Sequence, residues 1–247
     1  MSPSPPPTPS RAPQAPPPAA PAIAPGDAAA PARTIHVGDG LAFLAAAPLP
    51  PTHALVTSLP DASELPALSP EAWRAWFVDA AARCCAAVAP TAVAVFYQTD
   101  VLRDGRWVDK GHLVGEGAAR AGLACVFHKI VCRTTPGTPT FGRPGFAHLL
   151  AFSRDLRVPP ALATPDVLPA LGEMSWSKAM GTAACEAAVA FLARATACRT
   201  VVDPFCGLGT VLAVANARGL DAVGVECVRR RAARARRLRY DPATGLA

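Results

Sequence analysis

Two acids and two glycines stand at spacings that suit a small cationic ligand. In TVVDPFCGLGTVLAVANARGLDAVGVE, residues 200–226, an apolar run ends in Asp203 and a turn carries Gly207 and Gly209. A helical stretch then starts near Thr210, and a second apolar run ends in Glu226. Glycines between strand and helix let backbone approach a ligand, and the helix start offers free N–H groups. An acid closing the next strand is placed to accept hydrogen bonds from ribose hydroxyls. The dinucleotide fingerprint G-x-G-x-x-G fails, because Leu212 stands where its third glycine belongs. Asp203 would repel a pyrophosphate. It suits a sulfonium or an amine, both of which S-adenosylmethionine carries.

Three further stretches hold chemistry. HALVTSLPDASE, residues 53–64, runs from an apolar strand into Thr57-Ser58 and breaks at Pro60-Asp61. Tyr97-Gln98-Thr99-Asp100 closes another apolar run, on the edge where open α/β sheets bind ligands. VLRDGRWVDKG, residues 101–111, carries Arg103, Trp107 and Lys110 around an Asp104-Gly105 turn. A Trp among cations suits a nucleic-acid site, with Trp107 stacking and Arg103 or Lys110 on phosphate. An ordinary charged loop is the alternative.

Asp203-Pro204-Phe205-Cys206-Gly207-Leu208-Gly209-Thr210 resembles the cofactor motif DPFCGSGT of the class I methyltransferases that modify amino groups of DNA and RNA bases. Its place near the C-terminus resembles the circularly permuted branch, in which the catalytic half comes first. Val37-Gly38-Asp39-Gly40-Leu41 resembles the segment whose acid contacts the cofactor adenine, and Ser177-Lys178-Ala179-Met180 aligns with the QKP segment only at Lys178. Ala147 to Phe152 resembles the last strand before the linker. The resemblance covers residues 34 to about 240 and implies S-adenosyl-L-methionine as cofactor, with no metal. It implies Asp39, Lys178, Asp203, Pro204, Phe205, Cys206, Gly207, Gly209, Thr210 and Glu226 as its binding residues. Cys206 lies in the cofactor motif and is not read as a nucleophile.

Leu55-Val56-Thr57-Ser58-Leu59-Pro60 resembles the catalytic strand-loop xVTSPPY, which implies Ser58, Leu59, Pro60 and Asp61 as catalytic positions. In the family a polar side chain and a backbone carbonyl accept the hydrogens of the target amine, and an aromatic stacks on the base. Ser58 and Pro60 match. Leu59 replaces the first proline and Asp61 the aromatic. Losing one stacking partner costs about 1–3 kcal/mol of base binding. Asp61 either compensates by accepting a hydrogen bond or a proton, or only caps the loop. Asp100, Arg103, Trp107 and Lys110 are the candidate substrate-binding residues.

The elements that position these residues read as an α/β fold: a Rossmann-like, seven-stranded, mostly parallel sheet with helices on both faces. The strands fall at 35–37, 53–57, 92–97, 123–131, 146–152, 200–203 and 222–226. Helices fall at 41–47, from Ser69-Pro70-Glu71 onward, at 112–120, 178–196, 209–218 and 229–239. Ser at the N-cap and Pro at the first position mark the second helix. Trp73 and Trp76 on it read as core. Residues 154–175 read as proline-rich and irregular. The domain is expected at 34–247: a catalytic half 34–153, a linker 154–176 and a cofactor half 177–240.

Of the 28 prolines, 12 lie in the first 31 residues, a composition that cannot bury a core, so 1–33 reads as a disordered leader. No acid precedes Asp27, which leaves an organelle transit peptide open, but low-complexity sequence is the plainer reading. No 18-residue apolar window is present, so no membrane segment is expected. The 8 cysteines form no C-x-x-C pair, which points to a reducing, cytoplasmic setting without structural zinc. Seven arginines fall within 229–239, more than the whole net charge of +6. That stretch reads equally as a solvated helix face or a polyanion contact.

The interval 154–175 is too short for the recognition domain of a restriction-type DNA enzyme. The expectation is therefore methylation of an amino nitrogen in nucleic acid by direct in-line transfer, RNA ahead of DNA, with a partner subunit for recognition left open. A small-molecule or protein methyltransferase is the second reading. A degenerate domain that only binds or scaffolds is the third.

Overall fold

The computed structural model describes residues 30–247, of which Pro31–Ala247 form one compact unit. The leader expected at 1–33 lies outside the described residues up to position 29, and the first strand already begins at Arg33. The chain runs β1 (Arg33–Val37), α1 (Gly40–Ala46), β2 (His53–Thr57), α2 (Pro70–Ala87), β3 (Ala94–Gln98), β4 (Val101–Arg103), β5 (Arg106–Val108), α3 (Lys110–Arg120), β6 (Ala124–Cys132) and β7 (Phe146–Ser153). It continues through β8 (Val167–Leu168), α4 (Thr182–Ala195), β9 (Thr200–Asp203), α5 (Thr210–Ala217), β10 (Asp221–Glu226), α6 (Arg229–Ala235), β11 (Tyr240–Asp241) and β12 (Gly245–Leu246).

The central sheet has eight strands in the order β1-β10-β9-β2-β3-β7-β6-β8. Neighbours from β1 to β3 are parallel, and β7 runs against both β3 and β6. Seven strands were expected. The eighth, β8, lies inside the stretch read as irregular. Ile130 N–H donates to Asp166 O at 2.8 Å, and the buried Lys129 ammonium donates to the carbonyls of Thr164 and Pro165. The open edge of β6 thus captures the linker. A two-residue strand has no periodicity to read.

Central strands are apolar throughout because both faces are covered. One layer packs Val56, Val95, Leu149 and Val201 under α4 and α5. The other packs Leu55, Phe96 and Val202 under α2 and α3. The sheet therefore holds β9, β2 and β3 side by side with their C-terminal ends at one edge, where their loops meet. Ser69 caps α2, accepting from Ala72 N–H at 3.2 Å, with Pro70 at the first position. Three helices are shorter than expected: α4 starts at Thr182 rather than 178, α5 spans Thr210–Ala217 rather than 209–218, and α6 ends at Ala235 rather than 239. Among the described residues no helix is long and apolar enough to cross a membrane.

Candidate active site

Strand β9 ends in Asp203, which is buried against the end of β2. Thr57 Oγ1 donates to its Oδ1 at 2.6 Å, and Phe205 N–H donates to the same oxygen at 3.0 Å. Burial nevertheless pushes the Asp203 carboxyl up to about 7, with those two hydrogen bonds opposing and Glu226 adding to the shift. A buried acid held this way gains most from a cation brought beside it. The turn after it has Gly207 at φ 54° and Gly209 at φ 80°, backbone that side-chain-bearing residues rarely adopt. Gly209 also lies against Ala235 of α6.

Strand β10 ends in Glu226, whose Oε1 accepts Val228 N–H at 2.8 Å. Strand β1 leads to Asp39, which caps α1 by accepting from Ala42 N–H at 2.7 Å. Between these strand ends lies a cavity of about 480 Å³, within the range of small-ligand sites. It is lined by Asp39, Lys178, Asp203, Pro204, Phe205, Cys206, Gly207, Thr210 and Glu226, and also by Ser58, Leu59 and Pro60. Gly209 shapes the turn but does not face the cavity. Burial, with Asp203 and Glu226 nearby, drives the Cys206 thiol upward, so it stays protonated.

The loop after β2 forms the far wall. Leu59 is only 3% exposed and packs with Trp73 and Phe77 of α2. The Leu59 carbonyl accepts no backbone hydrogen bond among the described residues, whereas the Pro60 carbonyl accepts from Trp73 Nε1 at 3.3 Å. Leucine in place of proline is thus a core anchor for the loop. Asp61 accepts from Ala62 N–H at 2.8 Å and forms a reciprocal cap with Glu64. Its Oδ2 also lies 3.4 Å from Lys110 Nζ and 3.6 Å from Arg143 Nη2. Lys178 donates to Ser63 Oγ at 3.0 Å, which joins the segment before α4 to this loop.

A second, smaller cavity of about 40 Å³ opens beside Ser58 and Leu59. Asp61, Tyr97, Gln98, Lys110, Arg133 and Arg143 line it. Lys110 is buried, which pushes its ammonium down, with Asp61 opposing. Asp100 lines neither cavity: Lys110 N–H donates to its Oδ1 at 2.8 Å and His148 Nε2 lies 3.0 Å from its Oδ2. Its desolvation is outweighed by these bonds, and its carboxyl ends below the usual range. Arg103 and Trp107 sit on the β4–β5 hairpin outside both cavities, and Trp107 is half exposed. Of the four candidate substrate residues, the structure brings only Lys110 to the site.

Sequence reasoning missed several groups. Trp76 packs against the apolar cluster under α2 and also lines the larger cavity, with its ring edge toward Phe205, while Trp73 is buried as expected. Trp176 also lines that cavity, with the Arg231 guanidinium 4.8 Å from its ring centroid. Arg133 and Arg143 come from the loop 133–145. A Trp beside Lys178, and two arginines in a loop too polar to be core, were the signals available. His148 bridges Asp100 to His128, whose Nε2 lies 2.9 Å from His148 Nδ1. Asp100, Asp109 and His148 are the one group of possible metal ligands among the described residues, but Asp100 and His148 already bond each other.

Solved structures share this architecture. A Thermus thermophilus protein described as a DNA modification methylase aligns at TM-score 0.62 and 22% identity, over 82% of this chain and 92% of its own. The same protein complexed with S-adenosyl-L-methionine aligns at TM-score 0.61 and 22% identity, over 82% and 91%. PvuII DNA methyltransferase, cytosine-N4-specific, aligns at TM-score 0.63 and 16% identity, over 83% and 87%. The chain has the methyltransferase fold. No family model matches it, and no curated protein matches it. In this fold the β2 loop precedes the β9 turn in the chain, yet the two strands are neighbours in the sheet.

Proposed function

We propose that the protein is an S-adenosyl-L-methionine-dependent methyltransferase acting on an amino nitrogen of nucleic acid. One observation carries this reading: the Ser58-Leu59-Pro60 loop and the Asp203–Glu226 cofactor wall line one continuous cavity. The residues present fit the cofactor. The Asp203 carboxyl, raised to about 7 by burial, suits its amino group or sulfonium, and Glu226 and Asp39 face the cavity with carboxylate oxygens for ribose and adenine. When bound, the cofactor supplies an electrophilic methyl on sulfur.

The chain's own residues then have a positioning task. Ser58 and the Leu59 carbonyl accept the hydrogens of the target amine, which holds its lone pair on nitrogen and in line with the methyl. Asp61 supports that loop through its cap and its two ion pairs rather than replacing the stacking ring. The polymer is nucleic acid. The short interval 154–175 argued for RNA, but the solved neighbours are named as DNA methylases, and this moves DNA ahead. A protein or small-molecule acceptor is the reading to beat, because Tyr97 is the only aromatic lining the second cavity.

The test is incubation with methyl-tritiated S-adenosylmethionine and separate pools of genomic DNA, total RNA and cell protein, with Asp203→Ala as the blank. Label in DNA or RNA that the blank lacks is the expected result. Label in protein alone, or in no pool, sinks the reading.

A further inference from the structure

Gln98 closes β3 at the mouth of the second cavity and is 1% exposed. Its Nε2 has no hydrogen-bond partner among the described residues, and neither has the neighbouring Tyr97 Oη. A buried, unpaired amide costs about 1–3 kcal/mol, and folded proteins keep few of them outside functional sites. Both residues line the space beside Ser58 and Leu59, the loop to which the proposed function assigns the acceptor.

A carboxamide offers one donor and one acceptor in a plane. The unpaired Nε2 is a donor, and its complement is a ring-nitrogen acceptor beside the exocyclic amine, as N1 of adenine and N3 of cytosine are. A protonated alkylamine offers donors alone and leaves Nε2 unpaired. The surrounding charges argue the same way. Lys110, Arg133, Arg143 and Lys178 outnumber Asp61 and Glu64 around this cavity, a field that repels a lysine or arginine substrate and attracts a nucleotide.

We infer that Gln98 Nε2 selects the acceptor by donating to the ring nitrogen beside the exocyclic amine of a nucleobase, while Ser58 and the Leu59 carbonyl take the two amine hydrogens and the sugar-phosphate faces Arg133 and Arg143. This rests on the methyltransferase reading above and adds a ring-nitrogen contact to it. The cavity, roughly the space of one or two waters, takes that edge and leaves the rest of the ring outside.

The test measures binding instead of turnover. Protein saturated with S-adenosylhomocysteine, so that the larger cavity is filled, is titrated with adenosine, cytidine, 1-deazaadenosine and 3-deazacytidine. The wild-type chain should bind at least one natural nucleoside and lose about tenfold with the matching deaza analogue. Gln98→Leu should lose about the same factor for the natural nucleoside and nothing further for the analogue. Its thermal midpoint should hold or rise, since an unpaired buried amide is replaced by an apolar group of similar size. Equal binding by Gln98→Leu, no nucleoside binding by the wild type, or a midpoint several degrees lower each overturns the inference. Loss here with methyl label still entering nucleic acid would leave the activity standing and remove only Gln98. Label in no pool would remove the activity itself.

Discussion

Asp203 is a buried carboxyl whose two hydrogen bonds do not make up for the water it has lost. Its folded value of about 7 lies above the ordinary 3.8. The native state therefore binds this proton more tightly than the unfolded one, and stability falls as pH rises between those values. A cationic ligand prefers the ionised form. The expected outcome is that S-adenosylmethionine affinity, followed by calorimetry from pH ~5.5 to ~8, rises with a midpoint near 7. Asp203→Asn should flatten that profile and weaken binding by about 10- to 100-fold. A wild-type profile that stays flat would remove Asp203 from cofactor binding. The Asp-Pro-Phe-Cys string made this residue legible from sequence. Its protonation was not, because that comes from burial by strands and helices distant in the chain, with the hydrogen bond from Thr57, 146 positions away, opposing it.

Among the elements, α1 and the β9 turn are packed to contact. A Cβ on Gly40 would lie inside the Pro204 carbonyl. Gly40→Ala should therefore push α1 and its cap Asp39 off the cofactor wall, costing about 1–3 kcal/mol in urea denaturation and weakening cofactor binding with it. Unchanged stability and affinity would show that the wall yields. The sequence read Gly38-Asp39-Gly40 as one cofactor segment, yet two of its residues do different jobs: Asp39 caps and Gly40 makes room. Helix starts with local caps were legible, as at Ser69-Pro70. The helix read from 178 starts four residues later, since Lys178 is drawn to Ser63 and Glu64 on the loop after β2. The linker strand β8 was illegible for the same reason: its partner, β6, is distant in sequence and supplies all of its pairing.

At the scale of the molecule, α6 carries its charge to the rim of the larger cavity, where Val228 and Arg231 line the wall. Arg236 donates to Ile35 O at 2.7 Å, and Arg231 lies over Trp176. Arg229, Arg230, Arg234 and Arg237 are exposed. The stretch read as either a solvated face or a polyanion contact thus divides into structural and free arginines. Changing those four to Gln should lower nucleic-acid affinity at low salt. It should also flatten the slope of log K against log salt by about 0.7–0.9 for each phosphate no longer neutralised. Fluorescence anisotropy with a labelled oligonucleotide at three salt concentrations measures it. An unchanged slope would return α6 to the solvated reading.

The order of apolar runs and turn residues determined the α/β class and the glycine turn between β9 and α5, because those signals are local and periodic, while the permuted order was what the resemblance implied. Tertiary structure alone decided which polar groups share a cavity. It spent Asp100 on Lys110 and His148, kept Arg103 and Trp107 outside, and brought in Trp76, Trp176, Arg133 and Arg143. It also left Gln98 buried and unpaired beside Ser58. Residue type and spacing state what a side chain can do. Whether its hydrogen bonds are already satisfied depends on strands and loops far away in the chain, and that accounting closes only in three dimensions.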